Sequence, residues 1–207
     1  MSLLILEALT VARGSRPILG GLSLRLDPGE AVALRGPNGI GKTSLLRTVA
    51  GLQPPMAGRV DAPRGAALAG HDDGLSGALS VAETLRFWAA VWGTHLSGES
   101  ALDAYGLQAL ADCPASRLSA GERRRLALAR LIATGCPLWL MDEPTVSLDP
   151  VAQEMLARAI AGHLATGGAV LLSTHPDPGF PVDRCLDLAA FRAAEAQDPW
   201  SGAGARA

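Results

Sequence analysis

The stretch that decides the fold of this chain is Gly36-Pro37-Asn38-Gly39-Ile40-Gly41-Lys42-Thr43, which fits the phosphate-binding pattern G-x-x-x-x-G-K-[ST]. Its flanks are those that the pattern requires. Residues 30–35 form a short apolar run of strand length, and residues 42–50 have apolar side chains at helical spacing before Gly51. The glycines would let the backbone wrap a phosphate chain at a helix N-terminus. The sequence therefore predicts a nucleotide-phosphate site.

The predicted phosphate site has nine consecutive members: Gly36, Pro37, Asn38, Gly39, Ile40, Gly41, Lys42, Thr43 and Ser44. Lys42 would reach the terminal phosphates, and Thr43 would place its hydroxyl on Mg²⁺. The chain has 18 Lys and Arg residues, and Lys42 is its only Lys. The alternative is a glycine-rich turn without a ligand, and the flanking strand and helix argue against it.

Composition narrows the class of protein. The chain has 207 residues, enough for one large domain or a core with a subdomain. A net charge of −2 and an aromatic content of 4% argue against a nucleic-acid partner. The N-terminal apolar run is too short for a signal peptide. Residues 159–176 read as a helix end, a turn and a strand because the Gly167-Gly168 pair interrupts them, so we expect no membrane span.

Strand and helix patterns alternate along the chain. We expect strands at 3–11, 22–26, 30–35, 66–70, 138–141, 169–173 and 185–188, a short strand from Arg59, and helices at 42–50, 80–93, 99–112, 119–134 and 151–165. This alternation predicts an α/β fold with a mainly parallel sheet and the nucleotide at the carboxyl ends of the strands. The purely helical block 78–117 interrupts it and reads as an inserted subdomain.

A second group of candidate residues follows an apolar strand. Residues 137–141 precede Asp142 and Glu143, which therefore lie at the carboxyl end of that strand. Beside a phosphate loop, Asp142 could hold Mg²⁺ through its water shell. Glu143 could polarise the water that attacks the terminal phosphate. The alternative is that these carboxylates only end the strand and start a turn.

Three further motifs resemble those of ABC (ATP-binding cassette) transporter ATP-binding subunits: Leu118-Ser119-Ala120-Gly121-Glu122, Ser147-Leu148-Asp149 and Ser173-Thr174-His175. The resemblance covers roughly residues 3–190. It implies an α/β ABC ATPase core with a mainly parallel sheet, an N-terminal antiparallel β subdomain and the inserted helical subdomain. The expected ATPase domain is residues 1–198, and residues 199–207 are an expected disordered tail.

The resemblance also implies roles for these motifs. Ser119 and Gly121 would bind ATP held by a second copy of the chain, Asp149 would order the interface between the copies, and His175 would act with Glu143 at the γ-phosphate. The residues themselves leave helix initiation open as an alternative role, because Ser119 and Glu122 have capping-box spacing and Asp149 can cap a helix. His175 could equally be a structural residue. We interpret Arg123, Arg124 and Arg125 as mostly a solvated helix face.

The sequence departs from the family pattern at two sites. The region before the second strand, residues 11–16, has no aromatic residue for adenine stacking, so that stacking is either lost or replaced by a guanidinium plane. The expected glutamine before the helical block is replaced by His71, Asp72 and Asp73, of which Asp72 is the candidate substitute. Ala120 and Glu122 also replace a glycine and a glutamine of the signature.

Within the family, the chain resembles the ATP-binding subunits of bacterial heme exporters in cytochrome c biogenesis. The resemblance implies a dimer, integral membrane partners, and a peripheral position on the cytoplasmic face of the inner membrane, where ATP hydrolysis would drive heme export or release of the heme chaperone. ATP and Mg²⁺ are the expected ligands, with no direct heme binding. The alternatives are the ATPase of a different ABC exporter and a soluble P-loop ATPase or kinase.

Overall fold

Two sheets organise the chain in the computed structural model, which describes residues 1–62, 65–70, 73–94, 98–174 and 179–193. The strands are β1 (Leu4–Arg13), β2 (Arg16–Leu26), β3 (Ala31–Arg35), β4 (Ala57–Asp61), β5 (Ala67–Ala69), β6 (Leu138–Asp142), β7 (Ala169–Ser173) and β8 (Arg184–Asp187). The helices are α1 (Lys42–Val49), α2 (Val81–Val91), α3 (Gly98–Ala104), α4 (Ala120–Thr134) and α5 (Pro150–Ala165). Short 3₁₀ turns lie at Gln108–Leu110, Ala115–Arg117 and Leu188–Phe191.

The larger sheet has five parallel strands in the order β5-β6-β7-β3-β8. The strands β6 and β7 are buried along their whole length, as is β3 except for Arg35. Continuous apolar runs of this kind are typical of strands covered on both faces. The predicted mainly parallel sheet is confirmed, and so is the N-terminal antiparallel sheet, whose order is β2-β1-β4.

The parallel sheet separates two apolar cores. Successive side chains of a strand point to opposite faces, so on β6 Leu138 and Leu140 join one core while Trp139 and Met141 join the other. The first core includes α1 and the antiparallel sheet, and the second includes α2, α3, α4 and α5. Both faces of the sheet are thus covered, and its carboxyl edge carries the candidate site.

Two element boundaries differ from the prediction by more than a few residues. The second strand begins at Arg16 instead of residue 22, since it forms a hairpin with β1 through Arg13 and Arg16. The helix predicted at 99–112 ends at Ala104. Gly106 there has a φ of 60°, which ends a helix, and a separate 3₁₀ turn follows at Gln108–Leu110.

Among the residues that the structure describes, no helix has the length and apolar character to cross a membrane. The expected tail, residues 199–207, lies outside the described residues, and the domain boundaries stay a prediction.

Candidate nucleotide-binding site

The candidate site lies where three neighbouring parallel strands end. The loop of residues 36–41 follows β3, Asp142 ends β6 and Ser173 ends β7. Within the loop, Gly41 has a φ of 121°, a backbone conformation that residues with a side chain rarely adopt, so glycine is favoured there. The helix α1 begins next, and its N-cap is Gly41, which has no side chain that could cap the helix. Its first N–H groups therefore face the loop as an anion site.

Lys42 lies across this loop. Its side chain is almost fully buried, with 6% exposed, and its Nζ donates a hydrogen bond to the Gly36 carbonyl at 2.9 Å. A cavity of about 240 Å³ opens beside it, lined by Arg13, Asn38, Gly39, Gly41, Lys42, Thr43 and Glu143. Two cationic side chains and a helix N-terminus give this cavity the charge that a phosphate chain requires.

The two predicted metal ligands are adjacent. The Asp142 carboxylate is 4% exposed, and its Oδ2 accepts a hydrogen bond from Thr43 Oγ1 at 2.7 Å. Its Oδ1 accepts from Ser173 Oγ at 2.5 Å. A hydroxyl and a carboxylate at one edge of a phosphate cavity fit Mg²⁺, which takes few protein oxygens and completes its shell with water and phosphate. Ser173 was not predicted as a site residue.

Glu143 follows with an uncommon backbone conformation. Its φ is 47°, in the left-handed region that a non-glycine residue occupies at a cost of about 1–3 kcal/mol. The Glu143 N–H donates to the Ser173 hydroxyl at 2.9 Å and to the Ser173 carbonyl at 3.2 Å, which holds this conformation. The result is that Glu143 lines the same cavity as Lys42.

Arg124 is buried, so the prediction that it lies on a solvated helix face is wrong. It is 5% exposed, and its Nη2 donates to the carbonyls of Asp142 and Glu143 at 2.9 Å each. Its Nη1 donates to the Gly70 carbonyl at 2.6 Å and lies 3.7 Å from Asp73 Oδ1. Burial lowers the pKa of Arg124, and the nearby Asp73 carboxylate opposes this shift.

The two flanking arginines differ in surroundings. Arg123 is exposed, as predicted, whereas Arg125 is half-buried and donates to the Tyr105 carbonyl at 2.9 Å. Helical periodicity could have shown which of the three arginines is buried, because position 124 shares a helix face with the buried Leu128 and Leu131.

The other predicted residues lie apart from this cavity in their own chain. Ser119 is the N-cap of α4, and its hydroxyl and N–H form a capping box with Glu122. Asp149 is the N-cap of α5, where its Oδ1 accepts from the Ala152 N–H at 2.7 Å. Gly121 lies in the first turn of α4. None of the three lines the cavity beside Lys42.

Predictions for three residues cannot be placed on the structure. His175, His71 and Asp72 lie outside the described residues. Asp73, the described neighbour of the last two, faces Arg124.

This fold and this site define a phosphate-loop NTPase. The family profile described as ABC transporter matches residues 19–146. The cytochrome c biogenesis ATP-binding export protein CcmA of Rhodobacter capsulatus is 55% identical over 194 residues, covering 93% of this chain and 90% of the relative. The CcmA of Paracoccus denitrificans is 51% identical over 196 residues, covering 94% and 93%. The chain therefore belongs to the ABC transporter family, and within it to the group of the CcmA proteins.

Solved structures agree on the fold. An ATP-binding protein of the ABC transporter type from Pyrococcus furiosus superposes with a TM-score of 0.79 at 23% identity, covering 92% of this chain and 99% of that one. An ATP-binding subunit of an ABC transporter has a TM-score of 0.78 at 26% identity, covering 84% and 80%. The predicted ABC ATPase fold is confirmed, and so is the predicted class of activity: the chain is an ATP-binding, ATP-hydrolysing ABC-type ATPase.

Proposed function

We propose that this chain is the ATP-hydrolysing subunit of a transporter that exports heme, or releases a heme chaperone, in cytochrome c biogenesis. The observation that carries this proposal is the 51–55% identity to proteins named as cytochrome c biogenesis ATP-binding export proteins, extending over at least 90% of both chains. The geometry of the phosphate cavity supports the ATPase part of the proposal independently of that likeness.

Each residue of the cavity has a role in this proposal. The loop N–H groups and Lys42 bind the β- and γ-phosphates. Thr43 and Asp142 would hold Mg²⁺, which would neutralise the negative charge of the phosphates. Glu143 accepts a proton from the attacking water or orients that water. The Ser173 hydroxyl fixes the positions of both acidic residues, because it donates to the Asp142 carboxylate and accepts from the Glu143 N–H. His175 would contact the γ-phosphate beside Glu143.

A second copy of the chain completes the site in this proposal. Ser119 and Gly121 begin a helix whose N-terminus attracts phosphate, and neither lines the cavity of its own chain. Two chains arranged head to tail would bring each such N-terminus to the ATP of the other chain. Asp149 would lie at the interface between them.

Integral membrane subunits are the other proposed partners, on the cytoplasmic face of the bacterial inner membrane. A cavity of about 440 Å³ between α1, α2 and α4 supports this proposal, since Leu52, Trp88 and Trp92 line it. Beside them on α2, Phe87 is 52% exposed and Val91 is 58% exposed. Exposed apolar side chains grouped around an apolar cavity are typical of a surface that a partner covers.

Two substitutions test the ATPase. Lys42→Ala should lose ATP binding, and Glu143→Gln should bind ATP with Mg²⁺ while turnover falls by at least about a hundredfold. The Glu143→Gln chain should also elute as an ATP-dependent dimer. The matched control is Glu154→Gln on the exposed side of α5, which should change neither property. Normal turnover by Glu143→Gln would show that Glu143 is not the base.

The transport assignment is tested by partner recovery. Tagged Glu143→Gln chain is used to capture proteins from detergent-solubilised native membranes in ATP and Mg²⁺, and mass spectrometry identifies them. Cytochrome c maturation membrane subunits are expected, and their loss in a Phe87→Asp variant that still binds ATP would place the contact on α2. Recovery of a different permease instead would contradict the heme assignment and keep the ATPase.

A further inference from the structure

Tyr105, the only tyrosine of the chain, carries its hydroxyl into the apolar core of the helical block. The side chain is fully buried, and among the described residues the hydroxyl has no hydrogen-bond partner. A buried hydroxyl without a partner is costly, because it has given up its hydrogen bonds to water. Native cores contain few such groups, so this hydroxyl requires a physical explanation.

Arg124 has a matching unused donor. Its Nη1 donates to the Gly70 carbonyl, and its Nη2 donates to the carbonyls of Asp142 and Glu143. The remaining nitrogen, Nε, is buried and has no hydrogen-bond partner in the part of the chain that the structure describes. A guanidinium can only donate, so Nε requires an acceptor, and a phenol oxygen can be one.

The two side chains lie in the same part of the molecule. Tyr105 directly follows α3, and its carbonyl accepts a hydrogen bond from Arg125, the next residue after Arg124 on α4. Burial raises the pKa of the Tyr105 hydroxyl, and the Arg124 guanidinium opposes this shift. The charge of Arg124 therefore acts on the hydroxyl, and an acceptor without a donor lies near a donor without an acceptor.

We propose that Tyr105 is a positioning residue for ATP hydrolysis, whose hydroxyl accepts the Nε–H hydrogen bond of Arg124 directly or through one water. The bond restrains the plane of the guanidinium, which in turn holds the carbonyls of Asp142 and Glu143. Tyr105 thereby links the helical block to the backbone of the proposed base. This inference rests on the proposed function, because it requires Glu143 to act on the attacking water.

Tyr105→Phe tests the pair, because it removes one oxygen atom and leaves the ring in place. If the hydroxyl accepts from Arg124, the substitution leaves the buried Nε–H without an acceptor. The melting temperature should then fall by about 2–4 °C. In steady-state ATPase kinetics, kcat should fall by about threefold to tenfold while the ATP KM is unchanged, since the three carbonyl bonds of Arg124 remain.

Thr84→Val is the matched control. Thr84 is also buried in the helical block, on α2, and its hydroxyl donates to the Ser80 carbonyl at 2.8 Å. Removing this hydroxyl should lower the melting temperature and leave kcat unchanged, because its partner lies at the start of its own helix.

A double-mutant cycle shows through which residue Tyr105 acts. In the background of Arg124→Met, Tyr105→Phe should cause no further loss of kcat. Two losses that multiply would show that Tyr105 acts independently of Arg124, which overturns the inference. If the double variant does not fold, the melting temperature and kcat of Tyr105→Phe alone decide.

The other outcomes also contradict the inference. Normal kcat with an equal or higher melting temperature in Tyr105→Phe would show that the hydroxyl has no partner. Normal kcat with a lower melting temperature would make the bond structural only, and an equal loss of kcat in Thr84→Val would attribute the effect to general destabilisation. All of these leave the proposed function intact, whereas normal turnover by Glu143→Gln would remove the proposed base itself.

Discussion

At the scale of single residues, Arg124 connects the helix α4 to the end of the strand that carries both acidic site residues. Its guanidinium binds the carbonyls of Asp142 and Glu143 on one side and that of Gly70 on the other. It therefore fixes the backbone of Glu143, whose left-handed conformation directs the side chain into the phosphate cavity. Because Arg124 does not itself line the phosphate cavity, we infer that it acts by positioning the proposed base.

The substitution Arg124→Met should lower kcat by about tenfold to a hundredfold, because a displacement of about 1 Å at a reacting group costs that much. The ATP KM should change little. Arg123→Met is the control, since Arg123 is the exposed neighbour on the same helix. Steady-state ATPase kinetics and thermal melts are the measurements. If stability falls in Arg124→Met but kcat does not, the side chain is structural only.

His163 is a residue whose titration should affect stability. Its ring stacks on Trp139 with centroids 3.8 Å apart, and its Nε2 lies 3.1 Å from the Pro137 carbonyl oxygen. Burial lowers the pKa of His163, and the hydrogen bonds oppose this only in part. In the unfolded chain, His163 binds a proton as the pH falls through about 6.5, whereas in the folded chain it is still neutral at that pH.

Because the unfolded state binds the extra proton, the free energy of unfolding is highest above about pH 6.5 and declines as the pH falls towards the pKa of the folded state. His163→Phe preserves the stacking and removes the titration. We expect its melting temperature to decline less than that of the wild type between about pH 7.5 and 5.5. Parallel profiles for the two proteins would show that His163 does not contribute.

At the scale of elements, the chain contains two capping boxes with different proposed roles. Ser80 and Glu83 begin α2, while Ser119 and Glu122 begin α4. In both, hydrogen bonds from the serine lower the pKa of the glutamate. The boxes are alike in geometry, so helix initiation alone explains the residues at either helix. A difference in function must therefore come from the ligand or protein surface that each helix N-terminus contacts.

This similarity gives a matched pair of substitutions. Ser80→Ala and Ser119→Ala should each lower the melting temperature by about 2–4 °C, the cost of one lost N-cap in a chain of this size. Only Ser119→Ala should also reduce ATP-dependent dimer formation and turnover. Melting curves, gel filtration in ATP and ATPase rates are the measurements. Equal ATPase activity in the two variants would assign Ser119 to helix initiation alone.

At the scale of the whole molecule, local patterns predicted most of the core. The phosphate loop, α1, β7 and the capping box of α4 lie where the sequence placed them, because glycine positions, apolar periodicity and caps act within a few residues. The end of α3 at Ala104 was missed, since the pattern at 99–112 continues beyond the turn at Gly106.

Contacts between distant segments could not be predicted in this way. The burial of Arg124 depends on carbonyls from two other loops, and the Ser173 bond to Asp142 depends on the register of β6 and β7. Arg13 and Arg192 line one cavity because β2 lies beside the segment after β8. Tertiary pairing decides such features, and neither propensity nor spacing encodes it in a single sequence.

Lys42 has a practical consequence for handling the protein. The chain offers only one ε-amino group, and that group lies within the proposed nucleotide site, where it is hydrogen-bonded to Gly36. Amine-reactive dyes, biotin esters and carbodiimide coupling to a sensor surface have no other side chain to modify. A label found on Lys42 should therefore mark chains without nucleotide, and bound ATP should protect against labelling. Tethering through the exposed Cys185 leaves Lys42 unmodified, and no cysteine is among the described residues that line the cavity beside Lys42.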